Sequence, residues 1–212
     1  APSLSSSSPS DNATGVAVDS NIVLNFSEAV DVESGNITIK KTSDNSTIET
    51  IAVGSGQVTG TGTTQITINP SSDLSSFTQY YVQIDATAFD DSSSNSYAGI
   101  SDTTNLSFTT ADVIAPSLSS SSPVDNATGV AVDSNIVLNF SEAVDVESGN
   151  IIIKKTSDNS TLETIDVTSG QVIGSGTTQI IINPSVTLAS GIEYYVQIDA
   201  TAFDDSSSNS YA

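Results

Sequence analysis

Cysteine, histidine, methionine and tryptophan are all absent from this sequence. Without cysteine the chain can form no disulfide, no thiolate metal site and no thiol nucleophile. Without histidine it also lacks the side chain that most often acts as a general base. A pair of carboxylates can hydrolyse glycosides, but the acidic residues here lie in serine-rich segments with few aromatic side chains to stack on a sugar. We therefore expect a protein without enzymatic activity.

Positive charge is equally scarce. The 212 residues include four basic side chains against 25 acidic ones, so the formal net charge is −21. A surface of this sign repels nucleic acids and anionic lipids, because both need cationic contacts. No apolar run approaches the roughly 20 residues that a membrane-spanning helix requires. We expect neither a nucleic-acid partner nor insertion into a membrane.

The sequence repeats itself almost unchanged. Residues 1–98 align with residues 115–212 without a gap, and the two copies differ at only 14 positions. A repeat of this length is the size of a domain with its own core. We predict one domain at 1–114, whose linker covers about 109–117, and a truncated second domain at 115–212. Near-identical neighbours lead us to expect a window of a longer array, in which the nearest partners are identical repeats of the same chain.

Apolar and polar residues alternate in five short segments of the first copy. These are NIVLNF (21–26), NITIK (36–40), TQITIN (64–69), YYVQID (80–85) and NLSFTT (105–110). A period of two is typical of strands with one buried face. Predicted turns rich in glycine, proline, serine and asparagine flank these segments, such as SPSDNATG (8–15). No segment shows a helical apolar stripe. The pattern predicts an all-β fold, with an antiparallel β-sandwich of about seven strands in each copy.

The second copy stops before the counterpart of NLSFTT (105–110). We therefore predict that the second sandwich lacks its last strand and leaves strand edges open, and open edges invite pairing with other strands. Three explanations stay open at this point. The sequence has been cut short, or another chain supplies the strand, or the second copy ends differently and tolerates the gap.

The first 31 residues, APSLSSSSPSDNATGVAVDSNIVLNFSEAVD, resemble the opening of the bacterial Ig-like domains that repeat in S-layer proteins and giant adhesins. The shared motifs are SPxDxAxGV at 8–16 and FSExV at 26–30. The segment YYVQIDATAFDDSSSNSYAG (80–99) is similar to the tyrosine strand and following loop of that family, with Ser94 where glycine is common. The resemblance covers the whole unit in both copies.

The resemblance implies tandem Ig-like sandwiches in an extracellular or cell-surface bacterial protein. Their role there is that of a stalk or spacer in an adhesin. A first alternative is a protomer of an extracellular filament or surface layer, which exchanges strands with other copies of the chain. A second alternative is a calcium-dependent carbohydrate-binding module, with Tyr81 and Tyr97, or Tyr195 and Tyr211 in the second copy, as platforms for sugar rings.

Acidic residues concentrate in two predicted loops, 27–36 and 89–99, which the usual Ig strand order places at one end of each domain. Beside the linker they would meet Asp112, and clustered carboxylates repel unless a cation joins them. All the available ligands are oxygens, which favours Ca²⁺ with its about 6–8 oxygen ligands over Mg²⁺. The predicted ligands are Asp112, Glu142, Asp145, Glu147, Asp204, Asp205 and Asn209, with the first-copy counterparts Glu28, Asp31, Glu33, Asp90, Asp91 and Asn95. The alternative is that these acids are merely solvated.

Several positions become more apolar in the second copy. These are Val124, Ile152, Ile173, Ile181, Val186 and Ile192, each of which replaces serine or threonine. Scattered apolar residues are normal on a protein surface, whereas a contiguous patch would mark a lateral contact. If the six lie together, we expect them to form a packing interface.

Overall fold

A computed structural model describes residues 1–211, and these form two compact units. The first unit is Ala1–Asp112 and the second begins at Val113, two residues before the boundary expected from the repeat. Ala212, the last residue of the second predicted domain, lies outside the described residues. The described chain contains strands, turns and no helix, so the all-β prediction is confirmed.

Unit 1 is a sandwich of two sheets. One sheet has the order β1-β3-β7-β6, with β9 on the far part of β3, and the other has the order β2-β10-β8-β4-β5. Every pairing is antiparallel except β2 with β10, which is parallel and departs from the prediction. The strands are β1 (Leu4–Ser8), β2 (Ala13–Val16), β3 (Ile22–Val32), β4 (Asn36–Lys41), β5 (Thr47–Ala52), β6 (Val58–Thr59), β7 (Thr63–Ile68), β8 (Gln79–Ile84), β9 (Phe89–Asp90) and β10 (Ser107–Thr110).

The alternating segments place their apolar residues between the sheets as predicted. In β3, Ile22, Leu24 and Phe26 are buried, while the residues between them are only partly buried. Phe26 also packs on two aromatic rings of the β9 region, with centroid distances of 5.4 Å to Phe89 and 5.2 Å to Tyr97. Burial of each such side chain contributes about 1.5–3 kcal/mol to stability, so these rings tie β9 to the core.

The last strand of unit 1 closes the second sheet. β10 lies between β8 and β2, and its Phe108 faces Tyr80 on β8. Leu106 and Phe108 are 1% and 2% exposed. The turn before β2 also holds this strand, because Asp11 Oδ1 accepts hydrogen bonds from Ser107 N–H at 2.9 Å and from Ser107 Oγ at 3.0 Å.

Unit 2 repeats this architecture without the closing strand. One sheet has the order β11-β12-β16-β15 with β18 on β12, and the other is the three-stranded β14-β13-β17. The strands are β11 (Leu118–Ser122), β12 (Ile136–Val146), β13 (Asn150–Lys155), β14 (Thr161–Asp166), β15 (Val172–Ile173), β16 (Thr177–Ile182), β17 (Tyr194–Ile198) and β18 (Phe203–Asp204). The predicted loss of the last strand is confirmed within the described residues.

One further strand is lost together with it. Residues 127–130 have the same sequence, ATGV, as β2 in unit 1, yet they form no strand in unit 2. In unit 1, β2 pairs within its sheet only with β10. The segment therefore adopts strand geometry where β10 is present and not where it is absent.

Two predicted loop segments are wrong in part. Residues 27–32 continue β3, and 141–146 continue β12, because the short strands β9 and β18 pair with these extensions. The segment SPSDNATG (8–15) was expected to be a turn, but its last residues form β2. In each case a partner distant in sequence makes the strand.

Phe77 offers a test of backbone strain, because its φ is 44° and its side chain is 74% exposed. The same position in unit 2 is Gly191, with φ 74°. A bulky residue rarely adopts positive φ, and the left-handed conformation costs roughly 1–2 kcal/mol. We expect Phe77→Gly to stabilise unit 1 by about 1 kcal/mol, seen as slower hydrogen exchange of the β8 amides. The matched Gly191→Ala should speed exchange in β17, and faster exchange in Phe77→Gly would contradict the strain.

Candidate metal site

The predicted acidic residues divide between a strand and a turn. Asp31 on β3 lies directly opposite Asp90 on β9, and Asp145 on β12 lies opposite Asp204 on β18. Like charges directly opposite each other across two strands are destabilising. Each unit therefore keeps an aspartate pair at a place where repulsion favours a nearby positive charge.

One carboxylate oxygen of the Asp145–Asp204 pair is buried. The Oδ1 atom of Asp204 is buried and has no hydrogen-bond partner among the described residues. Buried polar atoms are normally satisfied by the protein, water or an ion. The opposite residue, Asp145, accepts only a long bond of 3.4 Å from Ser175 Oγ among the hydrogen bonds described for it.

The next aspartate in the chain closes a tight turn. Asp205 is 5% exposed, and its Oδ1 accepts 2.8 Å hydrogen bonds from the backbone N–H groups of Ser207 and Asn209. Its Oδ2 accepts from Asn209 Nδ2, also at 2.8 Å. In unit 1, Asp91 makes the same three bonds to Ser93 and Asn95. The two asparagines thus hold the carboxylates in position through their amide groups.

The turn also fixes the charge of these carboxylates. Hydrogen bonds from the backbone and side chain of Asn95 lower the pKa of Asp91 below its usual value. For Asp205, burial raises the pKa, but the hydrogen bonds from Asn209 outweigh it and the net pKa is lowered. Both groups are therefore ionised at neutral pH, as a cation ligand must be.

In each unit, a glutamate on the long strand β3 or β12 lies near the aspartate of the turn after β9 or β18. In unit 2, carboxylate oxygens of Glu142 and Asp205 lie within 4.8 Å of each other. In unit 1, carboxylate oxygens of the counterparts Glu28 and Asp91 lie 3.7 Å and 3.8 Å from the nitrogen of Ala1. The segment that leads into β1 therefore passes beside both carboxylates of the unit 1 pair.

Three further predicted ligands are Glu33, Glu147 and Asp112. Glu33 and Glu147 are exposed in the turns after β3 and β12. Asp112 ends unit 1, where its Oδ1 accepts a 2.9 Å hydrogen bond from Ser76 Oγ.

The positions of increased apolarity are spread over both sheets. Ile173 on β15 faces Ile181 on β16, and both lie in the sheet that contains β12. Ile152 lies on β13 in the other sheet, between the buried residues Ile151 and Ile153. Val124, Val186 and Ile192 are exposed and lie outside the strands.

The tyrosines predicted as sugar platforms differ in exposure between the two copies. Tyr81 and Tyr97 are 2% and 6% exposed, so the prediction of platforms in the first copy is wrong because both rings are buried. In the second copy, Tyr195 and Tyr211 are partly buried, and the ring of Tyr211 packs edge-on against Phe140 at a centroid distance of 5.1 Å.

A family model for the bacterial Ig-like domain matches residues 1–110 and again residues 112–212. The chain belongs to this family. Its two units are therefore tandem Ig-like domains, as the opening motif of each copy suggested. No curated protein sequence matches the chain. No helix in residues 1–211 is long and apolar enough to span a membrane.

Several solved structures are similar to these Ig-like domains at low identity. CopC from Methylosinus trichosporium OB3b is 14% identical over 54% of this chain and 97% of that chain, with a TM-score of 0.38. The S-layer protein rSbsC(31-844) is 12% identical over 91% of this chain and 25% of its own, with a TM-score of 0.36. The N-terminal part of the S-layer protein SbsC is 13% identical over 93% and 44%, with a TM-score of 0.34. The chain thus spans less than half of either S-layer structure.

One carboxylate with a structural role in each Ig-like domain was not predicted from the sequence. Glu163 on β14 is 9% exposed and accepts hydrogen bonds from Gln171 Nε2 at 2.9 Å and from the N–H and Oγ of Ser185 at 3.0 and 2.6 Å. Glu49 on β5 binds the equivalent groups in unit 1. These bonds fasten the loop after β7 or β16 to the opposite sheet. The only signal in the sequence is that both copies place the glutamate at the same point of a strand.

This carboxylate predicts a pH dependence. Burial raises the pKa of Glu163, but hydrogen bonds from Ser185 and Gln171 outweigh it, so the net pKa is lowered. Its stabilisation is therefore complete above the unfolded pKa of about 4.3 and is lost as pH falls through the lower folded value. We expect Glu163→Gln to cost about 1–3 kcal/mol at pH 7 and to flatten the fall in stability below about pH 4.3.

Urea denaturation between neutral and acidic pH measures both effects. Glu193→Gln changes an exposed glutamate of the same unit, so it should leave stability at pH 7 and the acid profile nearly unchanged. An equal loss in both variants would contradict a special role for Glu163.

Proposed function

We propose that these Ig-like domains are a spacer in a large secreted or cell-surface bacterial protein, as in the stalk of an adhesin. The observation that carries the proposal is the repetition of a whole domain with 14 differences over 98 aligned positions. A binding or catalytic protein needs one good site, whereas a spacer gains length from each added copy. Near-identity between neighbours therefore suits a mechanical role.

The charge and the linker support this role. A net charge of −21 favours mutual repulsion between segments and keeps such proteins soluble. Pro116 restricts the backbone between the repeats, because proline fixes its own φ and limits the residue before it. Both features oppose collapse of one repeat onto the next.

We further propose that the acidic residues Asp112, Glu142, Asp145, Asp204 and Asp205 bind Ca²⁺ and thereby stiffen the linker. Glu142 and Asp205 would supply two carboxylates. Asp145 lies on the same strand as Glu142, and Asp204 directly precedes Asp205. Ala115 is the counterpart of Ala1, whose nitrogen lies beside Glu28 and Asp91. Asp112 lies shortly before Ala115 in the sequence and would give the proposed site a third carboxylate.

The donor set fits this ion. The candidate ligands are carboxylate and amide oxygens, and Ca²⁺ takes about 6–8 oxygen ligands in flexible geometry. Mg²⁺ demands a smaller octahedral shell and keeps several waters. A cation would also offset the repulsion between Asp145 and Asp204. An ion that Asp112 shared with unit 2 would restrict the backbone that joins the two repeats.

Thermal unfolding of the whole chain in millimolar Ca²⁺ and in EDTA tests the calcium proposal. A ligand at about 100 times its Kd stabilises the folded state by about 2.7 kcal/mol, which raises the Tm by roughly 5–10 °C in a protein of this size. We expect that rise for the native chain and its loss in Asp112→Asn.

A matched variant controls for general charge effects. Asp158→Asn removes one charge from a turn where the carboxylate binds only Ser160 among its described hydrogen bonds, so its calcium response should persist. Coincident melts of the native chain in Ca²⁺ and EDTA would show that the acidic residues are only solvated.

The spacer proposal is tested against the carbohydrate-binding alternative by a glycan array. Because Tyr81 and Tyr97 are buried, we expect no glycan to bind above background, with or without Ca²⁺. Saturable binding of one glycan class, abolished by EDTA, would replace the spacer role with calcium-dependent recognition.

A further inference from the structure

The outer face of one sheet of unit 2 carries a continuous apolar row. Ile181 on β16 pairs with Ile173 on β15 on one side and with Val137 on β12 on the other. The residues that alternate with them along the strands, such as Leu138 and Ile180, are buried in the core, so the row points away from the core. Opposite residues on neighbouring strands have Cβ atoms about 4.5–5.5 Å apart. The three side chains therefore form one strip across the sheet.

A polar row lies beside the apolar one and satisfies its own hydrogen bonds. Gln179 Nε2 donates to Asn139 Oδ1 at 2.9 Å, and Asn139 Nδ2 donates to Ser120 Oγ at 3.0 Å. Gln179 and Asn139 stand two positions before Ile181 and two positions after Val137, so the two rows share one face of the sheet. We call the six residues of these rows the neutral face of unit 2, because none of them carries a charge.

The charge of the chain limits which of its surfaces can meet a second copy. With 25 acidic side chains and a formal charge of −21, most contacts between two copies place carboxylates opposite each other, and such contacts are unfavourable. The other sheet of unit 2 carries Asp166, exposed at the end of β14, and Lys154, partly exposed on β13. The neutral face differs, because two copies can bury it against each other without removing a charge from water.

The apolar row is specific to unit 2, although the sheet beneath it is the same in both units. Unit 1 has Thr59 and Thr67 where unit 2 has Ile173 and Ile181, and the strand order of this sheet is identical. The polar row of unit 1 makes the same two hydrogen bonds. Ile173 is 57% exposed, so much of its apolar surface stays in water. These two substitutions therefore change the surface of the sheet and not its fold.

We propose that the neutral face of unit 2 is a lateral contact site, and that its partner is the same face of a second copy of this chain. The apolar rows of the two copies pack against each other about a two-fold axis, which makes the contact self-complementary. The polar rows keep their hydrogen bonds within each copy. This contact goes beyond the spacer role and does not depend on calcium.

The size of the neutral face indicates how strong the contact is. Four strands spaced about 4.8 Å apart and about 20 Å long cover about 400 Å². A standard protein interface buries about 800 Å² on each partner. We therefore expect a weak, reversible dimer that forms only at high protein concentration.

Sedimentation equilibrium of the whole chain at up to millimolar concentration tests the proposal. We expect a monomer–dimer equilibrium that shifts towards the dimer as salt rises from about 0.05 to 0.5 M, because salt screens the repulsion between two acidic copies. Amide NMR signals that move with protein concentration should belong to β12, β15 and β16.

Differences between the two copies supply matched variants. Ile173→Thr combined with Ile181→Thr introduces the residues that unit 1 carries in the same sheet, and should raise the dimer Kd about 10-fold because both copies lose apolar area. Ile192→Thr also introduces the unit 1 residue at an exposed position, but outside the neutral face, so it should leave the Kd unchanged. The reverse pair, Thr59→Ile with Thr67→Ile, builds the row in unit 1 and should strengthen association.

Three results would overturn the lateral contact. The first is a chain that stays monomeric at millimolar concentration at both salt levels. The second is an unchanged Kd in the double threonine variant, which would place any association on another surface. The third is a set of concentration-dependent signals that excludes β15 and β16. A thermal melt of each variant separates these readings from a change in stability, because paired isoleucines on neighbouring strands also stabilise a sheet.

Discussion

The pairing of β10 with β8 and β2 is the contact on which one half of the sandwich depends. Two units of nearly the same sequence differ in whether this strand is present, and the consequences are local. Where it is absent, ATGV at 127–130 forms no strand and Val196 becomes exposed. The opposite sheet does not change in order, and Leu138, Phe140 and their neighbours stay buried. The closing strand therefore organises its own sheet rather than the whole core.

Negative charge is the second constraint, and neutral hydrogen-bond donors stabilise the carboxylates that carry it. The four basic side chains cannot pair with 25 acidic ones. Instead, aspartates such as Asp91 and Asp205 accept hydrogen bonds from asparagine and backbone N–H groups in the turns that follow them. Such bonds stabilise a carboxylate without a countercharge, but they cannot remove the repulsion between Asp31 and Asp90, which face each other. A cation beside Asp31 and Asp90 would offset that residual repulsion.

The sequence predicted the parts of the fold that are encoded locally. Alternation located the central strands, since each one carries its own buried face. It could not locate β2 or the continuation of β3 through Asp31, because non-local pairing with β10 and β9 makes these segments into strands. The acids were therefore expected in a loop and lie on a strand. The role of Glu163 could not be predicted for a related reason, since an acidic residue in a strand normally faces solvent and the partners of this one lie 8 and 22 residues away.

The two units also share one part of the core that does not involve the closing strand. Phe140, Phe203 and Tyr211 keep the ring packing that Phe26, Phe89 and Tyr97 make in unit 1, with centroid distances that differ by about 0.1 Å. This aromatic group joins β12 to β18 on the side of the sandwich away from the open edge, so it needs no closing strand. The packing of this side of the core therefore does not depend on the pairing of β8 with β10 in the other sheet.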